Sequence, residues 1–106
     1  MKRLTYSAIA LLAFIITSRT SLAQDSGAEI YKAKCEMCHG ADGQSNTPVG
    51  KSLGAQAYTS PEVLKLSDAQ ITDVIKHGKN KMPPAQVTDD QIKALLPYIH
   101  SLQKKK

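Results

Sequence analysis

The run Cys35-Glu36-Met37-Cys38-His39 puts both cysteines of the chain, and one of its three histidines, within five positions. No other feature restricts the fold as strongly. A chain of 106 residues makes a single domain. Two cysteines exclude a disulfide-dense scaffold, and a bridge between neighbours this close would shut a tiny loop and stabilise little. Four Tyr, one Phe and no Trp leave few large side chains to fill a core. Domains of this size commonly depend on a metal, a cross-link or a cofactor. The five-residue cluster is where such a staple would act.

Residues 1–23 read as an export signal outside the fold. Lys2 and Arg3 make a basic start, residues 8–16 an apolar run, and Ser21-Leu22-Ala23 the small residues that precede a cleavage point. The apolar run is shorter than the ~20 residues that cross a bilayer. The mature domain is therefore expected to span residues 24–106, exported to the periplasm, with a lysine tail at 104–106. The full sequence carries 14 Lys+Arg against 9 Asp+Glu, a net +5, which by itself suggests an anionic partner. Lys2, Arg3 and Arg19 leave with the signal. Without the tail, eight lysines then face nine acids. No Arg, aromatic platform or basic stripe remains to bind nucleic acid.

Three helix starts are written as capping boxes: Ser26-Gly-Ala-Glu29, Ser67-Asp-Ala-Gln70 and Thr88-Asp-Asp-Gln91. The first opens a helix with Gly27, Ile30 and Tyr31 on one face. The second turns Ile71, Val74 and Ile75 inward and stops at Gly78. The third leads into the apolar stripe Ile92, Leu95, Leu96, Ile99 and Leu102, with Pro97 expected to kink or loosen it. Asp68, Asp89 and Asp90 fall where a helix dipole favours acids and read as stabilisers. A helical turn is expected after Ser60-Pro61. Residues 40–60 read as a loop, long enough to be functional or wrapped around something.

Cys-x-x-Cys-His is the attachment signature of c-type haem. Cys35 and Cys38 would each form a thioether to the macrocycle, and His39 would stand beside it as an iron ligand. Zinc needs about four ligands, and there is no second cysteine pair. A thioredoxin-like dithiol belongs to a βαβ setting that the sequence lacks. For the sixth iron position the candidates are Met82, His77 and His100. Met82 is favoured because it lies outside the periodic helices, ahead of two stiffening prolines, and because His/Met is an established haem pair. His77 ends a helix and His100 falls off the apolar stripe.

From Gly27 to Leu102 the chain resembles the class I monohaem cytochromes c, in the group of small bacterial c-type cytochromes. The resemblance rests on Gly27 and Tyr31 in the first helix, residues 35–39, Met82-Pro83, and Tyr98 in the last helix. It implies an all-α cytochrome c fold, three to four short helices wrapped around one covalently bound haem. The first and last helices would cross at Gly27, between Tyr31 and Tyr98. It also implies that the Pro48 carbonyl accepts from the second nitrogen of His39. With no Trp, the partners of the haem propionates stay unassigned.

A haem with both axial positions filled exchanges electrons and leaves no site for substrate, so the expectation is a periplasmic, monomeric one-electron carrier with no catalytic residues. Leu53, Leu64, Leu66, Val74, Ile75 and Leu95 are expected to wall its pocket. Lys34, Lys51, Lys79 and Lys81 would form a positive rim toward an acidic redox partner. Two other readings are a peroxidase-like or gas-binding haem protein in which Met82 dissociates, and a cytochrome subunit of a larger respiratory complex.

Overall fold

The computed structural model describes residues 26–104. The expected export signal at residues 1–23 and the last two lysines of the tail lie outside the described residues. Six helices follow in order: α1 (Gly27–Lys34), α2 (Glu36–His39), α3 (Pro48–Leu53), α4 (Pro61–Leu64), α5 (Asp68–His77) and α6 (Asp89–Gln103). Among the described residues the only β-type pairing is an isolated bridge between Lys79 and Met82. The all-α expectation holds.

Two of the three capping boxes form in full. The Ser67 and Thr88 hydroxyls accept from the backbone of Gln70 and Gln91, whose side chains return to the cap residues. At Ser26 the hydroxyl accepts from the Glu29 N–H, while the return bond from the Glu29 side chain is absent from α1. Helices α1 and α6 carry the core between them. Ile30 and Tyr31 of α1 pack with Ile92, Leu95, Ile99 and Leu102 of α6, joined by Ile71 and Ile75 of α5 and by Tyr58. Leu95 and Leu102 are completely buried, and each such side chain contributes about 1.5–3 kcal/mol by leaving water. The helices cross at Gly27. A Cβ there would run into the Ala94 carbonyl oxygen and lie 3.1 Å from the Tyr98 Cβ. Only glycine permits this approach.

One local expectation changes. The segment read as one long loop contains α3. Thr47 caps it by accepting from the Gly50 N–H at 2.9 Å, and Pro48 occupies its first turn. A six-residue helix has little stability alone. This one is tied to α2 by the Thr47 hydroxyl, which donates to the Cys38 carbonyl at 3.0 Å. Pro97 lies inside α6, which continues to Gln103. Pro97 lies on the exposed side, away from the buried stripe, where water can satisfy the carbonyl its ring leaves unpaired.

Candidate functional site

The Cys35–His39 cluster forms directly after α1. Cys35 ends α1 and begins α2, and His39 closes that single turn before Gly40 redirects the chain with φ 81°. Tyr31, one helix earlier, donates its hydroxyl to the Gly40 carbonyl at 2.6 Å, and the Ser45 N–H donates to the His39 carbonyl at 2.8 Å. The position of the cluster therefore follows from α1, which the α6 crossing holds.

The two cysteines are not joined in a disulfide. Burial, reinforced by the neighbouring Cys38, pushes the Cys35 thiol up to about 11, so it stays protonated at neutral pH. Dithiol redox motifs work by lowering a thiol pKa. Cys35 has the opposite environment, which weighs against the dithiol reading. Burial also lowers the pKa of His39, so its ring is neutral and free to offer a lone pair.

His39 opens onto a cavity of about 240 Å³. Leu53, Leu66, Val74 and Ile75 line it as expected, and Cys38 and Met82 share it. Leu64 and Leu95 do not. Leu64 sits on the four-residue α4 and is 52 % exposed, whereas Leu95 faces the α1–α6 core. Sequence reading missed Tyr58, Val63, Ile71 and Ile99 as wall residues. Ile71 and Ile99 carried the inward signal but were assigned to the general core. Tyr58 carried none, because it stands in an irregular segment with no period to place it.

Met82 arrives on a braced turn. Lys79 and Met82 exchange backbone hydrogen bonds at 3.1 and 2.9 Å across Asn80-Lys81, and Asn80 takes a left-handed φ of 53°. The turn folds back on Gly78, where a Cβ would strike the Met82 carbonyl oxygen and lie 3.0 Å from the Pro84 nitrogen. Beyond the prolines the Ala85 N–H donates to the Ile75 carbonyl at 2.8 Å, fastening the segment to α5. The rival ligands are engaged outside the cavity. His77 pairs with Asp73 at 2.9 Å, and His100 meets Asp68 at 2.6 Å and Gln103 at 2.8 Å.

Pro48 heads α3, but its carbonyl makes no bond to His39. Nδ1 of His39 is buried with no hydrogen-bond partner. Of the four lysines, Lys79 and Lys81 border the cavity, while Lys34 and Lys51 are exposed elsewhere on α1 and α3.

The residues present suit a haem. The cavity is predominantly apolar, as a macrocycle requires, and two thiols, a neutral imidazole and a thioether stand in or beside it. A family model described as cytochrome c oxidase, cbb3-type, subunit III matches residues 22–99, from before α1 to near the end of α6. The chain belongs to this family of c-type cytochromes. One curated relative is the cbb3-type cytochrome c oxidase subunit FixP of Azorhizobium caulinodans, 36% identical over 84 residues, which are 76% of this chain and 27% of that protein. The chain thus spans about a quarter of that relative's length. Among solved structures, the KustC0563 c-type cytochrome superposes with a TM-score of 0.66 at 32% identity, covering 74% of this chain and 99% of its own. A tyrosine-to-phenylalanine variant of the same cytochrome gives 0.64 at 31% identity, over 73% of this chain and 98% of its own. The cytochrome domain holds one covalently attached haem c, with its iron, and its chemistry is electron transfer.

Proposed function

We propose that the domain is a one-electron carrier in which Cys35 and Cys38 form the two thioether links and His39 and Met82 are the axial ligands. Bound haem c supplies a one-electron iron couple, and a thioether ligand favours its reduced state. The observation that carries this reading is the sorting of ligands. His39 and Met82 line one cavity from separate elements, while His77 and His100 are paired with carboxylates elsewhere. The brace around Met82 resists ligand exchange and so disfavours a gas sensor or peroxidase. With both ligands held, the iron has no vacant position and the domain is not itself an enzyme. The apolar wall of Leu53, Leu66, Val74 and Ile75 keeps water from the metal, which also favours the reduced state.

Export to the periplasm belongs to the same proposal and is supported by the three-part layout of residues 1–23. Among the described residues no helix is long and apolar enough to cross a membrane. Lys79 and Lys81, at the cavity border, would steer an acidic redox partner, with Lys34 and Lys51 contributing at longer range.

Addition of carbon monoxide to the reduced holoprotein tests the ligation. The proposal predicts an unchanged spectrum in the native protein and ready binding in Met82→Ala. Binding by the native protein would favour the enzyme or sensor reading. A second reading, a subunit of a respiratory oxidase, is supported by the likeness to FixP and by the exposed Met37, Val49 and Leu64. The near-complete coverage of the KustC0563 cytochrome favours a domain able to stand alone. Gel filtration of the protein purified from its own periplasm separates the two: a carrier elutes at the size of one domain, a subunit in a large assembly.

A further inference from the structure

A ligand that is to stay on iron in both oxidation states needs a backbone that holds it there, and Met82 has few fastenings of its own. From Lys79 to Pro84 the only backbone hydrogen bonds are the two between Lys79 and Met82. Pro83 and Pro84 have no N–H with which to add another. The direction of Met82 is therefore set by the shape of the two-residue connection Asn80-Lys81. Connections of this length take mirror-image turns, in which the first central residue has a positive φ. Asn80 has φ 53°, and Lys81 does not share the positive φ. Glycine is the ordinary occupant of such a position. Asparagine is one of the few other residues that tolerate it, whereas a branched side chain is strained there. Asn80 is exposed and stands at the cavity border. The turn has no room to relax on its other side. Gly78, also left-handed at φ 76°, packs so closely that a Cβ there would strike the Met82 carbonyl oxygen.

We propose that Asn80 is the positioning residue for Met82, its left-handed backbone presenting the thioether to the cavity and holding the turn closed against competing ligands. The backbone conformation is what the site requires, and the amide side chain is dispensable. The inference rests on Met82 being an iron ligand.

Imidazole titration of the oxidised holoprotein tests it, followed through loss of the sulfur-to-iron charge-transfer band. The added ligand binds only when Met82 has left the iron, so its apparent affinity scales with the open fraction. Asn80→Gly should stay within about threefold of wild type, because a freer open state offsets the relief of strain. Asn80→Val should bind imidazole about tenfold more tightly, with Asn80→Ala between the two. Wild-type affinity in Asn80→Val would overturn the proposal. A gain in Asn80→Gly as large as that in Asn80→Val would do so too, by making the side chain the essential part. So would a lowered unfolding midpoint in Asn80→Val with unchanged imidazole affinity, which would leave Asn80 a role in stability alone. If Asn80→Val does not fold, Asn80→Ala decides: tighter binding than in Asn80→Gly supports the proposal, and equal binding overturns it. The parent reading is checked separately by Met82→Ala, which must lose the band. If the band persists there, Met82 is not the ligand, and the proposal falls with it whatever the Asn80 variants do.

Discussion

The Tyr31 hydroxyl donates to the carbonyl of Gly40, the residue after His39, across 2.6 Å. This bond connects the helix that crosses α6 at Gly27 to the Cys35–His39 cluster. Tyr31 is 1 % exposed and its ring also packs on Tyr98, with centroids 5.1 Å apart. Burial raises its pKa well above the ordinary tyrosine range, so the hydroxyl keeps its proton and donates at any physiological pH. Tyr31→Phe keeps the packing and removes the donor. The Gly40 carbonyl retains a weaker partner in the Gly43 N–H at 3.2 Å, so the loss should be about 1 kcal/mol. Denaturant unfolding of the oxidised holoprotein measures it, and an unchanged midpoint would show that the bond does not stabilise the fold.

The α1–α6 crossing makes a harsher prediction. Gly27→Val adds a branched side chain where even a Cβ strikes the Ala94 carbonyl. The helices must separate, at a cost of about 1–3 kcal/mol. Thermal unfolding of the holoprotein should show a clear drop in Tm, because the cluster depends on α1 for its place. A Tm equal to wild type would mean that the helices do not cross at this point.

Much of this was legible in the sequence, and the exceptions share a cause. Cys35, Cys38 and His39 point to the cytochrome c family by spacing alone, and the family match agrees. The starts of α5 and α6 are readable because Ser67 and Thr88 signal through local bonds to Gln70 and Gln91. α3 was hidden because its stability comes from a contact with another element, the bond from Thr47 to Cys38. The cap and proline at Thr47-Pro48 were visible, but six residues are too few for a period. Tyr58 was hidden for the same reason: its place in the cavity wall comes from contacts far away in sequence. Leu95 was misplaced because periodicity shows that a residue faces inward, and not whether it meets another helix or a cofactor cavity.

His100 gives the domain a pH-dependent clasp. Its Nε2 meets Asp68 at the head of α5, and Nδ1 meets Gln103 one turn further along α6. The Gln103 bond and the Asp68 carboxylate raise its pKa, against smaller opposing effects of slight burial and of Lys104. The folded-state pKa lies above the ordinary value, so the stabilisation is fully present below about 6.5 and is lost as pH rises through the raised value. The pair is partly exposed, and such pairs contribute about 0.2–1 kcal/mol. Stability measured across neutral pH should fall on the alkaline side in wild type and lose this component in His100→Gln. Equal slopes would exclude the clasp.

Lys79 and Lys81 border the cavity on the turn that carries Met82. If they steer an acidic redox partner, Lys79→Glu with Lys81→Glu should slow association at low ionic strength by at least about tenfold, and the gap should close as salt is added. Stopped-flow electron exchange with an acidic partner protein gives the rate. An unchanged rate at low salt would remove these lysines from the docking face and leave the ligation untouched.

The claim on which the rest depends is that Met82 is bound to iron. Beyond Met1, in the segment read as an export signal, Met82 and Met37 are the chain's methionines, and Met37, between Cys35 and Cys38, is 75 % exposed. Proton nuclear magnetic resonance of the reduced holoprotein tests the claim most directly. A methionine methyl held over the haem face gives one three-proton singlet shifted far upfield. That singlet should be present in wild type and in Met37→Leu, and absent in Met82→Ala. Its persistence in Met82→Ala, or its absence from the native protein, would contradict the account.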